Sequence, residues 1–174
     1  KRGLRTLVLF AGGGGATLGL DACPGITVSA AVELDPVAAA VHATNCTEHP
    51  TLRIDLSDPA GAAKRLAKHG PFSLVQLSPP CVQFSAARGR PMVEGAEAEL
   101  TVKALELVER LGAQAFIMEN VARVLESDAW RRASTHLATA GYRWVAAEAD
   151  AADHGLAQRR RRTFILGVRW GNEE

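Results

Sequence analysis

The sequence has few of the features that mark a secreted, disulfide-stabilised or membrane protein. Its 174 residues include three cysteines, Cys23, Cys46 and Cys81, with no C-x-x-C pair. An odd cysteine count favours free thiols in a reducing compartment. No apolar run approaches the ~18 residues of a membrane span, and no basic and apolar leader precedes the first predicted strand. These absences predict a soluble cytoplasmic protein without membrane contact.

Charge and metal ligands give equally little sign of a specialised surface. The net charge is +1, so overall charge does not by itself indicate a nucleic acid partner. The local exception is the run Arg159 to Arg162, although such a run is usually a solvated face when it stands alone. His42, Cys46 and His49 have helix-compatible spacing but no fourth ligand nearby, so no metal site is predicted.

Short apolar runs alternate with helical stretches along the whole chain, which is 47% hydrophobic and long enough to bury one core. This pattern is typical of a parallel sheet covered on both faces. Strands are predicted near Arg5 to Phe10, Thr27 to Glu33, Thr51 to Ile54, Phe72 to Leu77, Gln114 to Glu119, Tyr142 to Ala149 and Thr163 to Val168. Helices are predicted near Ala16 to Ala22, Pro36 to Asn45, Pro59 to Lys68, Ala96 to Leu111 and Asp128 to Ala140.

The predicted fold is therefore α/β, with a doubly wound and mostly parallel seven-stranded sheet. The loop between the last two strands is too short for a parallel crossover, so the last strand should be antiparallel. Residues 1–174 are interpreted as one domain.

Three predicted strands end in residues suited to binding or chemistry. The first runs into the glycines Gly12 to Gly15, the fourth into the sequence SPPCVQFS, and the fifth into Glu119 and Asn120. The two prolines of SPPCVQFS end the strand and force a turn that presents Cys81. In parallel sheets a ligand lies outside the carboxyl ends of the strands, so these three segments should meet in one crevice.

The glycine run favours a nucleoside ligand that lacks a pyrophosphate. Glycines let the backbone approach a ligand closely and permit positive φ. The run does not complete G-x-G-x-x-G, because Thr17 and Leu18 occupy the remaining positions, and no Gly-Lys pair suggests a phosphate loop. Glu33 follows Gly12 by 21 residues, close to the offset at which an acidic side chain reaches ribose hydroxyls.

Five motifs, in order from about Leu7 to Val168, resemble those of the cytosine-5 DNA methyltransferase family. They are LFAGGGG, VELDP, SPPCVQFS, MENV and HGLAQRRRRTFILG. Two departures stand out. Val82 separates Cys81 from Gln83, whereas the family usually has glutamine directly after the cysteine. The sequence also lacks the family's target-recognition region and its final helix, which closes the cofactor site.

The resemblance implies an S-adenosylmethionine-dependent methyltransferase with a Rossmann-like fold, of the kind found in restriction-modification. It implies that the cofactor is S-adenosylmethionine and that the site residues fall into three groups. The cofactor group is Phe10, Ala11, Gly12, Gly13, Gly14, Gly15, Glu33, Leu34, Asp55, Leu56 and Pro79. The catalytic group is Cys81, Glu119, Arg160 and Arg162. The nucleic acid group is Gln83, Ser85, Arg88, Arg90 and Asn120.

In the mechanism implied by the resemblance, Cys81 adds to carbon 6 of a cytosine that is flipped out of duplex DNA. Glu119 faces N3, Arg162 contacts O2 and Arg160 braces the loop. Residues two apart on an extended segment share a face, so Arg160 and Arg162 should point inward while Arg159 and Arg161 face solvent or phosphate. Ser85 to Gly95 is expected to form a mobile lid over the base.

Two alternatives stay open: an RNA cytosine-5 methyltransferase of the same fold, and a non-catalytic regulatory relative that binds the cofactor. A degenerate relative should lose the cysteine, the glutamate or the arginines, and this sequence keeps all of them. A dehydrogenase is disfavoured by the incomplete glycine fingerprint. The protein is expected to be prokaryotic or encoded by a phage, with base recognition supplied by a missing segment or a second subunit.

Overall fold

A computed structural model describes residues 3–80 and 95–170 of the chain. Five predicted site residues therefore lie outside the described residues: Cys81, Gln83, Ser85, Arg88 and Arg90. Most of the predicted lid, Ser85 to Gly95, lies outside them as well.

Seven strands form one sheet in the order β3-β2-β1-β4-β5-β7-β6. The strands are β1 (Leu4–Leu9), β2 (Ile26–Val32), β3 (Thr51–Leu52), β4 (Leu74–Leu77), β5 (Ala115–Asn120), β6 (Tyr142–Asp150) and β7 (Arg161–Arg169). The first five pair in parallel, and β7 is antiparallel to both β5 and β6. The predicted fold class is confirmed. Strand order reverses between β1 and β4, which places a ligand crevice at their carboxyl ends.

Five helices connect the strands, and local capping explains where several of them begin. They are α1 (Gly15–Asp21), α2 (Pro36–Asn45), α3 (Pro59–Leu66), α4 (Ala96–Arg110) and α5 (Asp128–Thr139). Helices α2 and α3 each start with proline at the first helical position, after an aspartate whose side chain accepts a backbone N–H bond. Ser127 caps α5 in the same way. Beyond α4, Gly112 adopts φ +65°, in the left-handed region that favours glycine.

The core lies mainly on one face of the sheet. Leu7, Leu77, Phe116 and Met118 are fully or almost fully buried there, in one cluster with apolar residues of α3, α4 and α5. On the other face, a smaller cluster joins Val8, Ala11, Leu20, Val28 and Ala31. Burial of apolar surface at about 25 cal/mol per Å² makes the larger cluster the main source of stability.

The opposite face remains open at the β7 and β6 edge. Val145, Leu166 and Val168 are exposed there. Among the described residues, no helix is long and apolar enough to cross a membrane.

Candidate active site

The glycine run forms a tight loop between β1 and α1. Phe10, Gly12 and Gly14 all have positive φ, at 58°, 53° and 104°. A side chain on Gly14 would be excluded on two grounds, since a Cβ there would also lie 2.7 Å from Cys46 Sγ. The loop backbone is therefore held close to α2.

Glu33 lies directly after β2 and is held by backbone donors on both oxygens. The Gly12 N–H donates to Oε2 at 2.9 Å, and the Asp35 N–H donates to Oε1 at 3.0 Å. The 21-residue spacing read from the sequence thus corresponds to a direct contact between the glycine loop and the carboxylate. The sequence alone indicated the ribose role but not this bond.

A buried histidine beneath the loop links the elements that support it. The ring of His42 is fully buried and contacts Thr17 Oγ1 of α1 at 2.9 Å and Thr51 Oγ1 of β3 at 2.7 Å. Burial lowers the pKa of His42, with a further contribution from nearby His49, while Glu33 opposes the shift. A neutral imidazole therefore joins α1, α2 and β3 under the site.

A metal role for this region has no support in the geometry. His49 contacts Asp21 Oδ2 at 2.8 Å, away from the two threonine partners of His42. Within residues 3–80 and 95–170, no group of three or more histidine, cysteine or acidic side chains is arranged to hold a metal ion.

A first pocket of about 490 Å³ opens beside Glu33. Its described lining is mostly apolar and includes three carboxylates: Phe10, Val32, Glu33, Leu34, Asp35, Pro36, Ile54, Asp55, Leu56, Pro80 and Leu100. Asp55 accepts the Ser57 N–H at 2.8 Å, and hydrogen bonds from Ser57 lower the pKa of that carboxyl. Of the eleven predicted cofactor residues, Phe10, Glu33, Leu34, Asp55 and Leu56 line this pocket.

A second pocket of about 610 Å³ adjoins the first at Phe10, which lines both. Its described lining is Phe10, Ala11, Gly15, Ala16, Gln76, Ser78, Glu119, Ala149, Ala151, His154, Leu156, Arg160, Arg162 and Phe164. Glycine-loop residues form one end and the predicted catalytic residues form the other. The structure thus brings Glu119, Arg160 and Arg162 together with part of the predicted cofactor group.

Glu119 and Arg162 form the central ion pair of the second pocket. Arg162 Nε lies 2.9 Å from Glu119 Oε1, and the two side chains are only 20% and 22% exposed. Arg160 is farther from the same oxygen, at 3.9 Å, and its side chain is 48% exposed. Because Thr163 of β7 pairs with Asn120 at the end of β5, and Arg162 directly precedes Thr163, β7 delivers the guanidinium to the end of β5.

The neighbouring arginine faces away from the pocket. Arg161 is 78% exposed and lies 3.6 Å from Asp150. Asp150 also accepts the Ala152 and Arg160 N–H groups, and these bonds lower the pKa of its carboxyl. This alternation is the one expected for an extended segment.

Asn120 holds the loop that leads to Cys81. Its side chain is 1% exposed, its Nδ2 donates to the Pro79 carbonyl at 3.2 Å, and its Oδ1 accepts the Val121 N–H at 2.8 Å. Asn120 therefore has almost no exposed surface with which to make the nucleic acid contact that was expected of it. Its geometry is that of a group that positions the Pro79 and Pro80 turn. Pro79, predicted to bind the cofactor, is buried and is not among the described residues lining either pocket.

The sequence did not single out several lining residues, above all Gln76 and Ser78. Gln76 is a polar residue inside the otherwise apolar strand β4, and this was the available signal. His154, Leu156 and Phe164 carried no comparable signal, because the segment before β7 and the first half of β7 bring them to the pocket.

The fold matches solved methyltransferase structures. It superposes on S. pombe Dnmt2 methyltransferase with a TM-score of 0.77 at 20% identity, covering 98% of this chain and 51% of that one. It superposes on a DNA modification methyltransferase encoded within an E. coli prophage with a TM-score of 0.79 at 28% identity, covering 95% and 47%. The architecture is therefore the methyltransferase fold.

The family follows from the sequence itself. The profile of the C-5 cytosine-specific DNA methylases matches residues 4–174, so the chain belongs to that family. It is 34% identical to the Type II methyltransferase M.HgiDI of Herpetosiphon aurantiacus, over 97% of this chain and 53% of that protein. The chain thus spans about half the length of this relative. The family resemblance predicted from the five motifs is confirmed.

Proposed function

We propose that this chain is the catalytic part of a DNA cytosine-5 methyltransferase that uses S-adenosylmethionine. One observation carries the proposal: two pockets share the wall formed by Phe10, one edged by Glu33 and the other by the Glu119 and Arg162 pair. A cofactor in the first pocket and a base in the second would meet beside Phe10. Membership of the C-5 cytosine-specific DNA methylase family supports this pairing of ligands.

The first pocket fits the nucleoside part of the cofactor. Its apolar walls suit an adenine ring, and Glu33 offers a carboxylate for the ribose hydroxyls with both oxygens already oriented by backbone N–H groups. Leu34, Asp55 and Leu56 line the remainder. When bound, S-adenosylmethionine supplies the methyl group that carbon 5 receives.

Cys81 is the proposed nucleophile. Ser78 lines the second pocket and Pro80 lines the first, so the chain passes between the two pockets immediately before Cys81. The thiolate forms a bond to carbon 6 of cytosine, and this makes carbon 5 electron-rich. After methyl transfer, loss of the carbon 5 proton and elimination of the thiolate restore the ring. The reactive form of cysteine is the thiolate, which cationic neighbours stabilise.

Glu119 and the arginines manage the charge that addition of the thiolate creates on the ring. Glu119 holds or shares a proton at N3, and the Arg162 guanidinium stabilises negative charge at O2. Arg160 and Arg162 both contact Oε1 of Glu119. The pair is mostly shielded from water, so the contact with Arg162 is stronger than the same pair at a surface. Arg160, which is more exposed, braces the loop.

The substrate is DNA with the target cytosine flipped out of the helix, because a stacked base is not accessible to a nucleophile in a pocket. Specific protein–DNA interfaces bury roughly 1,000 to 2,500 Å² of protein. The described residues offer mainly the run Arg159 to Arg162, and a net charge of +1 adds little nonspecific attraction. We therefore infer that a target-recognition region outside these residues holds the duplex. The similarities to known proteins give no support for placing the target-recognition region on a second subunit.

A covalent trap tests the nucleophile and the substrate together. DNA carrying 5-fluorocytosine should form a denaturation-resistant complex in the presence of cofactor, because fluorine cannot leave as a proton does. Cys81→Ser should abolish the complex, whereas the matched variant Cys23→Ser should form it normally. The same trap in RNA tests the RNA alternative. A non-catalytic relative would bind the cofactor and form no complex with either nucleic acid. A complex formed equally by Cys81→Ser would disprove the assignment of Cys81.

The need for a recognition region has its own measurement. Methyl transfer from labelled cofactor to a defined duplex site should be much slower for these 174 residues alone than for the same residues joined to a target-recognition region. Equal rates would show that the catalytic part is sufficient.

A further inference from the structure

Gln76 is a buried polar residue with one unmet hydrogen-bonding group. It lies in the middle of β4, opposite Val8 of β1 and Ile117 of β5, and it is 6% exposed. Its Nε2 donates to Ser78 Oγ at 2.8 Å. Its Oε1 is buried and has no hydrogen-bond partner among the described residues. Such a group destabilises a folded protein unless a ligand or water satisfies it, so it needs an explanation.

The bond between Gln76 and Ser78 also directs the serine. Because the hydroxyl oxygen accepts from the amide, its own proton is available to another acceptor. The pair therefore has one unmet acceptor, Oε1, and one unmet donor, the Ser78 hydroxyl. If the amide were turned by 180°, Oε1 would face Ser78 Oγ and Nε2 would be the end without a partner. The need for a further partner therefore does not depend on which way the amide points.

Both residues line the second pocket, on the strand between the glycine loop and Glu119. Of the charged groups, Glu119 lies on β5, Arg160 lies just before β7, and Arg162 lies at the start of β7. Gln76 and Ser78 instead neighbour β1, whose continuation supplies Phe10 and Ala11 to the same pocket. A ligand that enters from the first pocket past Phe10 would therefore reach this neutral pair with the part that extends beyond its nucleoside.

We propose that Gln76 and Ser78 bind the amino-acid end of S-adenosylmethionine, an inference that rests on the proposed function. That end is a zwitterion, with an ammonium donor and a carboxylate acceptor, and the pair has one unmet group of each complementary kind. Oε1 of Gln76 accepts from the ammonium after a small rotation about the terminal torsion, which is broad and soft, and Nε2 keeps its bond to Ser78 Oγ. The Ser78 hydroxyl donates to the carboxylate. Gln76 is thus a cofactor-binding residue in addition to those predicted from the motifs.

The test compares two ligands that differ only in the part in question. S-adenosylhomocysteine carries the amino-acid end, and 5′-methylthioadenosine has the same nucleoside and thioether without it. Calorimetric titration of Gln76→Met, which keeps the length of the side chain, should show about tenfold weaker binding of S-adenosylhomocysteine, the effect of one hydrogen bond to a charged group. Binding of 5′-methylthioadenosine should change less than twofold. Ser78→Ala should show the same selective loss.

Thr101→Val is the matched control. Thr101 is fully buried in α4, and its hydroxyl also has no partner among the described residues. Because neither described pocket lining includes it, this variant should bind both ligands like the wild type.

Equal losses for the two ligands would overturn the inference, because Gln76 would then only shape the pocket. Unchanged affinity in both site variants would overturn it as well. If the wild-type protein binds neither S-adenosylmethionine nor S-adenosylhomocysteine, the proposed function itself fails, and the inference fails with it. Should Gln76→Met not fold, the half-buried position of Ser78 keeps Ser78→Ala as an independent test.

Discussion

Two glutamates at the ends of parallel strands are held in contrasting ways. Glu33, after β2, is bound by the N–H groups of Gly12 and Asp35. Glu119, in β5, is bound by the side chains of Arg162 and, at a longer distance, Arg160. Backbone donors cannot move unless the loop moves, so they suit a carboxylate that must stay fixed. Guanidinium groups on long side chains can follow a change in charge, so they suit a carboxylate that takes part in chemistry.

The contrast separates binding from catalysis. If it holds, changes at Glu33 should affect cofactor affinity, and changes at Glu119 should affect the rate of methyl transfer. The supports of the two glutamates also differ. Buried His42 supports the loop next to Glu33, and buried Asn120 supports the loop that leads to Cys81.

The largest effect is expected for Glu119→Gln. Removing a positioned acid or base should lower the rate of methyl transfer at saturating substrate by roughly 10²- to 10⁴-fold. Cofactor affinity should change little. Rates measured from labelled cofactor, alongside a calorimetric titration, separate the two quantities. Arg131→Ala, at an exposed arginine of α5 that lines neither pocket, is the control and should have near wild-type activity. A Glu119→Gln variant with wild-type rates would remove the catalytic half of the contrast.

Glu33→Ala should have the opposite pattern. Loss of the hydrogen bonds that the carboxylate accepts from the ribose hydroxyls should weaken cofactor binding by about 1.5 to 3 kcal/mol, or roughly 10- to 150-fold. The rate at saturating cofactor should stay within a few-fold of the wild-type rate. A large fall in that rate with unchanged affinity would show that Glu33 acts on the reaction and not on binding.

Asn120→Ala tests the support of the catalytic loop. The change leaves the Pro79 carbonyl and the Val121 N–H without their side-chain partner, at a cost of about 1 to 3 kcal/mol in the free energy of unfolding. The rate of formation of the 5-fluorocytosine complex should fall, because the turn before Cys81 is less well positioned. Reduced stability with an unchanged rate would limit Asn120 to a role in folding.

The smallest effect concerns pH and His42. Its pKa is lowered by burial, so the unfolded chain takes up a proton more readily than the folded protein. Stability should therefore fall as the pH drops below the pKa of an unfolded histidine, about 6.5, by up to about 1.4 kcal/mol between pH 7.5 and 5.5. Urea unfolding of wild type and His42→Asn at both pH values measures this change in the free energy of unfolding. The variant should be less stable at pH 7.5 and less sensitive to acid. An identical pH dependence in the two proteins would exclude His42 as its source.

The fold was largely predictable because apolar runs and helix caps report on local structure. Deviations occur where a partner strand decides the length. β3 was predicted to reach Ile54 but ends at Leu52, since it pairs only with Ala31 and Val32 at the end of β2. The predicted start of β4 at Phe72 was also early, because the ladder with β1 begins at Leu74.

The site was only partly predictable. Residue spacing indicated Glu33. The resemblance to the family motif indicated Arg160 and Arg162, and the alternation of an extended segment predicted that both point inward. Gln76 was treated as part of an apolar strand, because sequence periodicity does not show whether a buried amide has a hydrogen-bond partner. The burial of Asn120 is equally a tertiary property, set by the passage of the Pro79 turn beside the end of β5.

The burial of Cys46 against Gly14 has a practical consequence for chemical labelling. Burial raises the pKa of the Cys46 thiol, and the nearby Asp21 carboxylate adds to the shift. Alkylating reagents that require a thiolate should therefore modify it slowly, whereas Cys23 is exposed to them. In the Cys23→Ser variant, the fast phase of alkylation would then report the modification of Cys81 alone. A simple mass-spectrometric time course could follow how cofactor or DNA shields that single thiol.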